Sequence, residues 1–522
     1  MARGPRRQVW EYGHWRGENN REAPTEEIFS QGYLTKLRNY HLLGRGVAQK
    51  RKGHQLHVAD RINAGNTVQS QTMYEFGTTR HLVGVSGGRL GYLNGSSWDN
   101  ITGLLTLASG QDDRFRWAQF LDGNTSYLVG TDNKNRPFKW DGTSAVATLL
   151  GQGSEGGPSK ALDITEFFGR LWAINTDTGE TVTEYSEDGE ASLWPGGLFF
   201  SATRESPGVA LTKHNDGVLL LFHQNSIHRV EPNYDFGEFF ARYLVDDSVG
   251  CKATHSVVTY KGVTYFYGPD GFYKIQDPRR PAEYISWPIE TYINELGRTR
   301  DIQVAGFARG EPWNEVVWLV SHGARTVHDS AIVYNPVLDA WTIFEAAGAD
   351  MDFNCGTDFL NSDGKHITIL GTYDGYTQEA WGDDSYDTGN LDGGLTGAAV
   401  RTEFETGFQS WGYAGLKRTR EIWFDMKVLD RKTFTLTLSG VADSPATSAN
   451  YTIGTTGAVL GSFILGTDAL SGSNPDQVRI QKKVKARLIR LNLTESDEGS
   501  PQTLHQFKVL WVPRGLRIKD RT

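Results

Sequence analysis

A unit of about 45 residues recurs along most of this 522-residue chain, and it constrains the fold more than any other feature. Each copy reads as an apolar strand, a turn containing Gly, Asn or Asp, a short strand with an aromatic residue, and a second turn. The clearest copies are residues 82–102 and 127–150, in which the dipeptides Asn94-Gly95 and Asp141-Gly142 are typical of hairpin turns. The repeat therefore predicts a series of short antiparallel strands.

The spacing of the repeat predicts a β-propeller. One anchor residue per copy gives steps of 46, 47, 43, 45, 61 and 44 residues, within the period of four-stranded propeller blades. Six steps predict about seven blades, with six or eight as alternatives. The long step predicts an insertion around residues 292–309, the best helix candidate in the chain. The anchors are Tyr92, Phe138, Tyr185, His228, Tyr273, Tyr334 and Gln378.

The composition supports an all-β chain. The counts of 60 Gly, 15 Trp, 21 Tyr and 25 Phe indicate many tight turns that join aromatic-rich strands. Two cysteines, Cys251 and Cys355, are too few for a disulfide framework and are not spaced as metal ligands. The sequence has no run of 18 apolar residues and no apolar stretch of the secretory kind near its start, so we expect neither membrane insertion nor an export signal.

The repeat ends at a Gly- and Asp-rich linker, residues 382–400. Beyond it, residues 401–522 contain segments that alternate apolar and polar residues with period two, as strands with one buried face do. We therefore predict a propeller over residues 61–381 and a C-terminal antiparallel β-sandwich over residues 401–522.

The residues before the propeller predict how the ring closes. Residues 1–60 form an N-terminal arm, within which residues 34–60 read as strand, turn, strand. An open ring would leave unpaired strand edges that invite aggregation. We expect residues 34–60 to supply a ring-closing hairpin that pairs with strands near residues 366–384.

The net charge of −9 is unevenly distributed. Residues 1–60 hold 11 basic and 6 acidic residues, residues 61–400 hold 24 and 44, and residues 401–522 hold 18 and 12. An acidic body argues against gripping nucleic acid through its phosphates, which requires a Lys- and Arg-rich surface. It is compatible with DNA that slides past without sticking, while the basic segments could dock other proteins.

Motifs for catalysis are absent from the sequence. There is no phosphate-binding Gly loop with its Lys, no dinucleotide fingerprint and no nucleophile elbow. Residues 185–189 with Trp194 are similar to the Asp-box turn of sialidase propellers, but Asp188 and Gly189 are adjacent where that box has a residue between them, and the box shapes a turn. We predict no catalytic residue and no bound cofactor.

Two further sets of residues have a functional and a structural interpretation. His54, His57 and Asp60 could hold a metal, but on a strand the two histidines point to opposite faces, so exposed polar positions are favoured and no metal site is predicted. The acidic pairs Asp246-Asp247 and Asp383-Asp384 could include a glycosidase pair, although among 62 acidic residues such pairs arise by chance as solvated loop ends.

Residues 479–491 concentrate basic side chains. They could form a patch for nucleic acid, a strand with a solvated basic face and Val484, Ala486 and Leu488 partly inward, or a docking face for an acidic partner. The candidate docking residues are Arg479, Lys482, Lys483, Lys485, Arg487 and Arg490.

Two stretches carry a resemblance to a known family. The first is residues 34–60 followed by residues 72–93, and the second comprises residues 402–426, 487–493 and 505–517. Both resemble the tail hub or nozzle of short-tailed bacteriophages, similar to the tail accessory factor of P22-like tails, and the middle of the chain resembles it only as a generic propeller. The matching residues of the first stretch are Leu37, Arg38, Asn39, Gly44, Lys50, Arg51, Lys52 and Gly53.

The resemblance implies a structural virion protein, assembled in the cytoplasm of the host bacterium. It implies a homo-oligomer, six copies in a ring below the portal and the adaptor, or head-to-tail connector. That ring would extend the channel through which double-stranded DNA passes without specific binding, and would anchor tailspikes or tail fibres. The alternative is a ligand-binding or carbohydrate-active propeller, which should be a monomer with a pocket on one propeller face.

Residues 382–400 should separate the two domains, because Gly and Asp dominate there and the repeat period ends. Limited proteolysis of the free protein should therefore cut this segment first, as identified by mass spectrometry of the fragments. Protection equal to that of the blade cores would argue against the boundary.

Overall fold

The computed structural model describes most of the chain. The residues described are 8–12, 15–20, 33–44, 46–151, 156–201, 206–233, 239–346, 351–361, 364–381, 386–387, 398–411, 413–427, 432–441, 446–453, 476–481, 483–496 and 502–513.

Six blades of a β-propeller are each formed, within the described residues, by four consecutive antiparallel strands. Blade 1 comprises Val68–Phe76, Thr79–Ser86, Arg89–Asn94 and Ser97–Asn100; blade 2 Arg116–Asp122, Thr125–Thr131, Phe138–Trp140 and Thr148–Leu149; blade 3 Ala161–Phe167, Arg170–Thr176, Gly179–Tyr185 and Phe199–Phe200; blade 4 Gly208–Asn215, Val218–His223, Ile227–Pro232 and Phe240–Asp246; blade 5 Val258–Tyr260, Val263–Tyr267, Phe272–Ile275 and Glu283–Tyr284; blade 6 Ala305–Arg309, Glu315–Val320, Ser330–Asn335 and Ala340–Glu345.

A composite unit, here called the closing blade, completes the ring. Its first three strands are Phe353–Leu360, His366–Thr372 and Thr377–Ala380, and its fourth is His54–Val58, which precedes blade 1 in the chain. The fourth strand runs antiparallel to the third. The first strand of the closing blade also packs against the first strand of blade 1, so the ring is continuous.

The repeat units found in the sequence coincide with the blades. Every anchor residue, from Tyr92 to Gln378, lies in the third strand of its blade. The long step between anchors corresponds to short helical turns between blades 5 and 6, which are Trp287–Ile289, Glu290–Asn294 and Arg298–Gln303; a further turn, Thr254–Ser256, precedes blade 5. No helix in the described part of the chain is long and apolar enough to cross a bilayer.

Most of the remaining strands form a sandwich. One layer contains Tyr40–Gly44, Val47–Lys50, Thr503–Pro513, Lys417–Lys427 and Asp476–Ile480, with Gln8–Tyr12 and Lys485–Ala486 at its side. The other contains Lys36–Arg38, Thr402–Glu405, Leu488–Glu495, Lys432–Val441 and Thr447–Ile453. Buried residues of both layers, among them Phe404, Phe424, Leu436, Leu491 and Phe507, form one core. The predicted all-β class, with a propeller and a sandwich, is confirmed. Six blades are built from consecutive strands where about seven were predicted, and the sandwich also contains strands from residues 8–50, which precede the propeller.

The ring-closing prediction needs a correction. Residues 54–58 pair with the closing blade as expected, but the hairpin formed by Tyr40–Gly44 and Val47–Lys50 pairs with Thr503–Pro513 of the sandwich. The hairpin therefore does not pair with the closing blade, because its buried residues Tyr40 and Leu42 belong to the sandwich core. Of the linker at residues 382–400, the strand pair Tyr386–Asp387 and Ala398–Ala399 and the buried Val400 are described; the rest lies outside the described residues.

The junction between the closing blade and blade 1 is closely packed. A Cβ atom built on Gly371 of the closing blade would lie 2.5 Å from Val68 Cγ1 of blade 1 and 2.8 Å from Cys355 Sγ. These distances are shorter than a Cβ atom tolerates, so only glycine allows the two blades to approach this closely.

Gly371→Ala should therefore lower the free energy of unfolding by about 1–3 kcal/mol, the usual cost of overpacking a core. The measurement is guanidinium unfolding followed by tryptophan fluorescence. Gly196→Ala is the matched control, since a Cβ there would meet no atom of the described residues within 4 Å. An equal effect of both substitutions would show that the ring does not depend on this contact.

Candidate functional site

The contact between propeller and sandwich is a continuous sheet. Lys36–Arg38 lies between the outer strand of blade 6 and the strand Thr402–Glu405, parallel to the first and antiparallel to the second. A nine-stranded sheet therefore runs from blade 6 into the sandwich. We call the residues around Lys36–Arg38 the joint.

Asn39 lies at the centre of the joint. Its backbone has a φ of 61°, in the left-handed region that Asn adopts more readily than most residues. The side-chain amide donates to the carbonyl oxygens of Glu345 and Arg401 at 2.9 and 2.6 Å. Its oxygen accepts from the Glu345 backbone amide and from Arg51 Nε, both at 2.8 Å. One side chain thus connects blade 6, the start of the sandwich and the hairpin.

Buried charges reinforce both sides of the joint. On the sandwich side, Lys50 Nζ lies 2.8 Å from a carboxylate oxygen of Glu495, and both side chains are at most 1% exposed. On the propeller side, Arg309 pairs with the Glu315 carboxylate at 2.7 Å, and Nδ1 of His41, whose pKa is lowered by burial, lies 2.8 Å from the same carboxylate. Breaking one partner of such a pair leaves an uncompensated buried charge, which is strongly destabilising.

The buried surroundings of the joint shift the pKa values of two glutamates in opposite directions. Burial alone would raise the pKa of Glu315, but His41 and Arg309 outweigh it and hold that pKa below its usual range. Glu18 shows the opposite balance: burial raises its pKa although Arg38, 3.1 Å away, opposes the shift. The excess of basic residues in 1–60 was expected to make this segment a docking surface. Some of these residues, such as Arg38 and Lys50, instead form ion pairs inside the molecule.

A pocket of about 220 Å³ lies in the centre of the propeller. It is lined from the first strands of blades 1, 2, 6 and the closing blade and from the turn before blade 5. Two arginines and a histidine are present, and no carboxylate belongs to the described lining. The lining residues are Gln69, Ser70, Gln71, Thr72, Arg114, Phe115, Arg116, Trp117, His255, Ala305, Gly306, Cys355 and Gly356.

The loop formed by residues 108–114 crosses the end of the ring at which the first strands begin. Gln111 donates to the Thr326 carbonyl of blade 6 at 3.0 Å, and Asp112 pairs with Arg300 at 2.7 Å. Gln69 of blade 1 donates to three carbonyl groups of the loop and fixes its course. The loop ties blades 1 and 2 to blade 6 across the ring.

Arg114, at the end of this loop, is a buried cation with neutral partners. Its guanidinium donates to Asn354 Oδ1 at 2.8 and 3.2 Å, to the Gln303 carbonyl and to the His328 imidazole, and the side chain is 6% exposed. No carboxylate within the described part of the chain forms an ion pair with it. Burial and the nearby Arg114 lower the pKa of His328 to about 3, so this histidine is neutral near pH 7.

Arg116 is held differently. Its Nε donates to Asp163 Oδ1 at 2.8 Å, and Asp163 also accepts from the backbone amides of Ile164 and Leu211. The two terminal nitrogens of Arg116 form no hydrogen bond with the described residues, and this side chain is 23% exposed. Burial, together with Arg114 and Arg116, holds the pKa of His255 well below its usual range.

The predicted basic face is only partly assembled as a surface. Arg479 forms two hydrogen bonds with Glu421, at 2.7 and 2.8 Å, and Arg490 contacts Glu405 at 3.2 Å. Exposed residues alternate with buried Val484 and Ala486, as expected for a strand with one solvated face. Lys482 lies outside the described residues, and the exposed members are Arg479, Lys483, Lys485 and Arg487.

The candidate metal residues have separate packing roles. His54 packs edge-on against Phe353, with ring centroids 4.9 Å apart, and His57 lies edge-on to Phe359 at 6.2 Å. Asp60 accepts hydrogen bonds from the backbone amides of Arg61 and Trp98.

The candidate acidic pair at blade 4 is a turn element. Asp246 is buried and accepts from the backbone amides of Ser248, Val249 and Ala282, while Asp247 is exposed. The pair Asp383-Asp384 lies outside the described residues. Tyr185, in the segment similar to an Asp-box, stacks on Trp172 at 4.4 Å, a packing role within blade 3.

Sequence reasoning missed the central pocket. Arg114 and Arg116 are separated by one residue at the start of a first strand, and His255 is 139 residues further on, so no local motif links them. The one sequence feature that could have indicated this pocket is the close spacing of two arginines within residues 61–400, where acidic residues outnumber basic ones.

No protein-family model matches the chain, and no curated protein matches it. Among solved structures, it is similar to the extracellular domain of the putative hybrid two component system BT3049 from B. thetaiotaomicron, with 11% identity and a TM-score of 0.39 over 62% of this chain. The match spans 41% of that chain. It is also similar to YCF48 in a structure bound to D1 peptide, with 12% identity and a TM-score of 0.34 over 64% of this chain and 96% of that one.

Asn39→Ala should lower the free energy of unfolding by about 2–4 kcal/mol, because it removes the hydrogen bonds that hold the joint and places Ala in a left-handed conformation. Asn133→Ala is the matched control: Asn133 has a φ of 62°, and its buried Oδ1 accepts no hydrogen bond from the described residues. The control should lose about 1 kcal/mol. Urea unfolding of both variants gives the comparison, and equal losses would contradict the role of the side chain.

Proposed function

We propose that the chain is a structural subunit of a bacteriophage tail, a nozzle or hub protein without catalytic activity. One observation carries the proposal. The residues that resemble the opening of phage tail hubs, including Leu37, Arg38, Asn39 and Arg51, are those that build the joint. A protein that joins its two domains through a shared sheet and buried ion pairs suits a part that must hold its shape under load.

The proposed assembly is a ring of six copies below the portal and adaptor, with tailspikes or fibres attached outside. The central pocket bears on where DNA would pass. Its volume of about 220 Å³ cannot hold a duplex, whose major groove alone is about 12 Å wide. This supports a DNA channel on the axis of the ring of copies rather than through each propeller.

The exposed basic residues of the sandwich are the proposed contact with an acidic neighbour such as the adaptor. Lys483, Lys485 and Arg487 project from the solvated face of one strand region. Charge complementarity of this kind steers association and sets its orientation. Arg479 and Arg490 contribute less, because Glu421 and Glu405 already pair with them.

A ligand-binding propeller remains the second candidate, and the central pocket favours it. A glycosidase of the usual kind requires a pair of carboxylates. The described lining of this pocket has cationic groups and no carboxylate. The pocket therefore supports binding more than sugar cleavage.

The purified chain should form closed rings, alone or with a connector protein from the same virion. Negative-stain imaging and mass photometry measure this directly. Lys483→Glu/Arg487→Glu should weaken docking to the connector by about tenfold or more, whereas Arg80→Glu on blade 1 should leave it unchanged. A monomer under every condition, with or without connector, would refute the proposal.

A further inference from the structure

The central pocket combines positive charge with unused hydrogen-bond donors. Arg114 and Arg116 come from blade 2 and His255 from the turn before blade 5, so the pocket receives these groups from two separate parts of the ring. The chain as a whole has 62 acidic and 53 basic residues, yet no carboxylate belongs to the described lining. The local charge is therefore opposite in sign to that of the molecule.

The carboxylates nearest to these arginines are already engaged. Asp112 pairs with Arg300, at 2.7 Å, and Asp163 accepts from Arg116 and from two backbone amides. Arg114 is left with amide, carbonyl and imidazole partners, although its side chain is buried. A buried guanidinium without a counter-charge is costly, and a bound anion would remove that cost.

Arg116 has the geometry to bind such an anion. Asp163 holds its Nε, which fixes the plane of the guanidinium, and the two terminal nitrogens have no acceptor among the described residues. A fixed guanidinium edge matches two oxygen atoms of a phosphate or carboxylate. The half-buried Thr72 and His255 add a hydroxyl and an imidazole to the same lining.

We propose that the pocket in the centre of the propeller binds a small oxyanion, a phosphate or a carboxylate, between Arg116, Arg114 and His255. The site is accessible to solvent, because Thr72, Arg116, Trp117 and His255 are only half-buried. Its volume of about 220 Å³ fits a small anion and its remaining water, and cannot admit a folded partner. This proposal is independent of the assignment to a phage tail, since it concerns a single copy of the chain.

The test is isothermal titration calorimetry of the full chain with inorganic phosphate, and separately with acetate, at constant ionic strength so that non-specific screening is equal. Saturable binding of either anion with a stoichiometry of one per chain is expected, and the stronger of the two identifies the chemistry. Absence of saturable binding for both anions would overturn the proposal.

The decisive variant is Arg116→Gln/Asp163→Asn, which removes both charges of the pair and so avoids a stranded buried carboxylate. It should weaken binding by about tenfold or more, because the charge-assisted hydrogen bonds are lost. Arg80→Gln/Glu75→Gln is the matched control, since it removes an ion pair of similar length, 2.7 Å, from the solvent-exposed hairpin between the first two strands of blade 1. Binding of wild-type strength in the folded pocket variant would refute the site.

A second measurement decides the matter if the pocket variant does not fold. Crystals of the wild-type chain soaked in selenate allow the anion to be located by the anomalous scattering of selenium. A peak beside Arg116 supports the site, and peaks found only elsewhere overturn it.

Discussion

The unpaired edge of a β-sheet is the constraint on which the rest of this structure depends. A ring of blades closes only if its last unit obtains a fourth strand, and a blade joins a second domain only if its outer edge continues into that domain. The residues before blade 1 meet both needs. His54–Val58 completes the closing blade, and Lys36–Arg38 extends blade 6 into the sandwich. The two domains and the ring are therefore parts of one hydrogen-bonded system.

The residues before blade 1 also place charged side chains inside the molecule. The basic residues near its middle do not face solvent as a group: Arg38, Lys50 and Arg51 are inside, where they pair with Glu18, Glu495 and backbone carbonyls. Burying charges costs desolvation energy that good geometry repays only in part, so their benefit is to allow one arrangement of the domains and to penalise others. The positive groups in the propeller pocket differ, because Arg114 has no carboxylate partner among the described residues.

Much of the fold could be read from the chain because its signals are local. Hairpin dipeptides such as Asn94-Gly95 and the recurrence of the anchors locate the third strand of each blade, and period-two alternation located the sandwich strands. The sequence could not predict which sheet the hairpin at residues 40–50 joins. Its partner strand lies about 450 residues further along the chain, and both candidate sheets offer an apolar face. The pocket was hidden for the same reason: Arg116 and His255 become neighbours only when the ring forms.

The pairing of His54–Val58 with Thr377–Ala380 has a consequence for synthesis of the chain. More than 300 residues separate the two strands. At translation rates of about 5–20 residues per second, His54–Val58 stays unpaired for on the order of tens of seconds before its partner strand has left the ribosome. During that time its edge is available to other nascent chains. The blades between them can form in order as they emerge, and the slow, non-local step falls at the end. The yield of this protein in cells should therefore depend more on how well the unpaired strand His54–Val58 is protected from pairing with other chains than on the stability of any single blade.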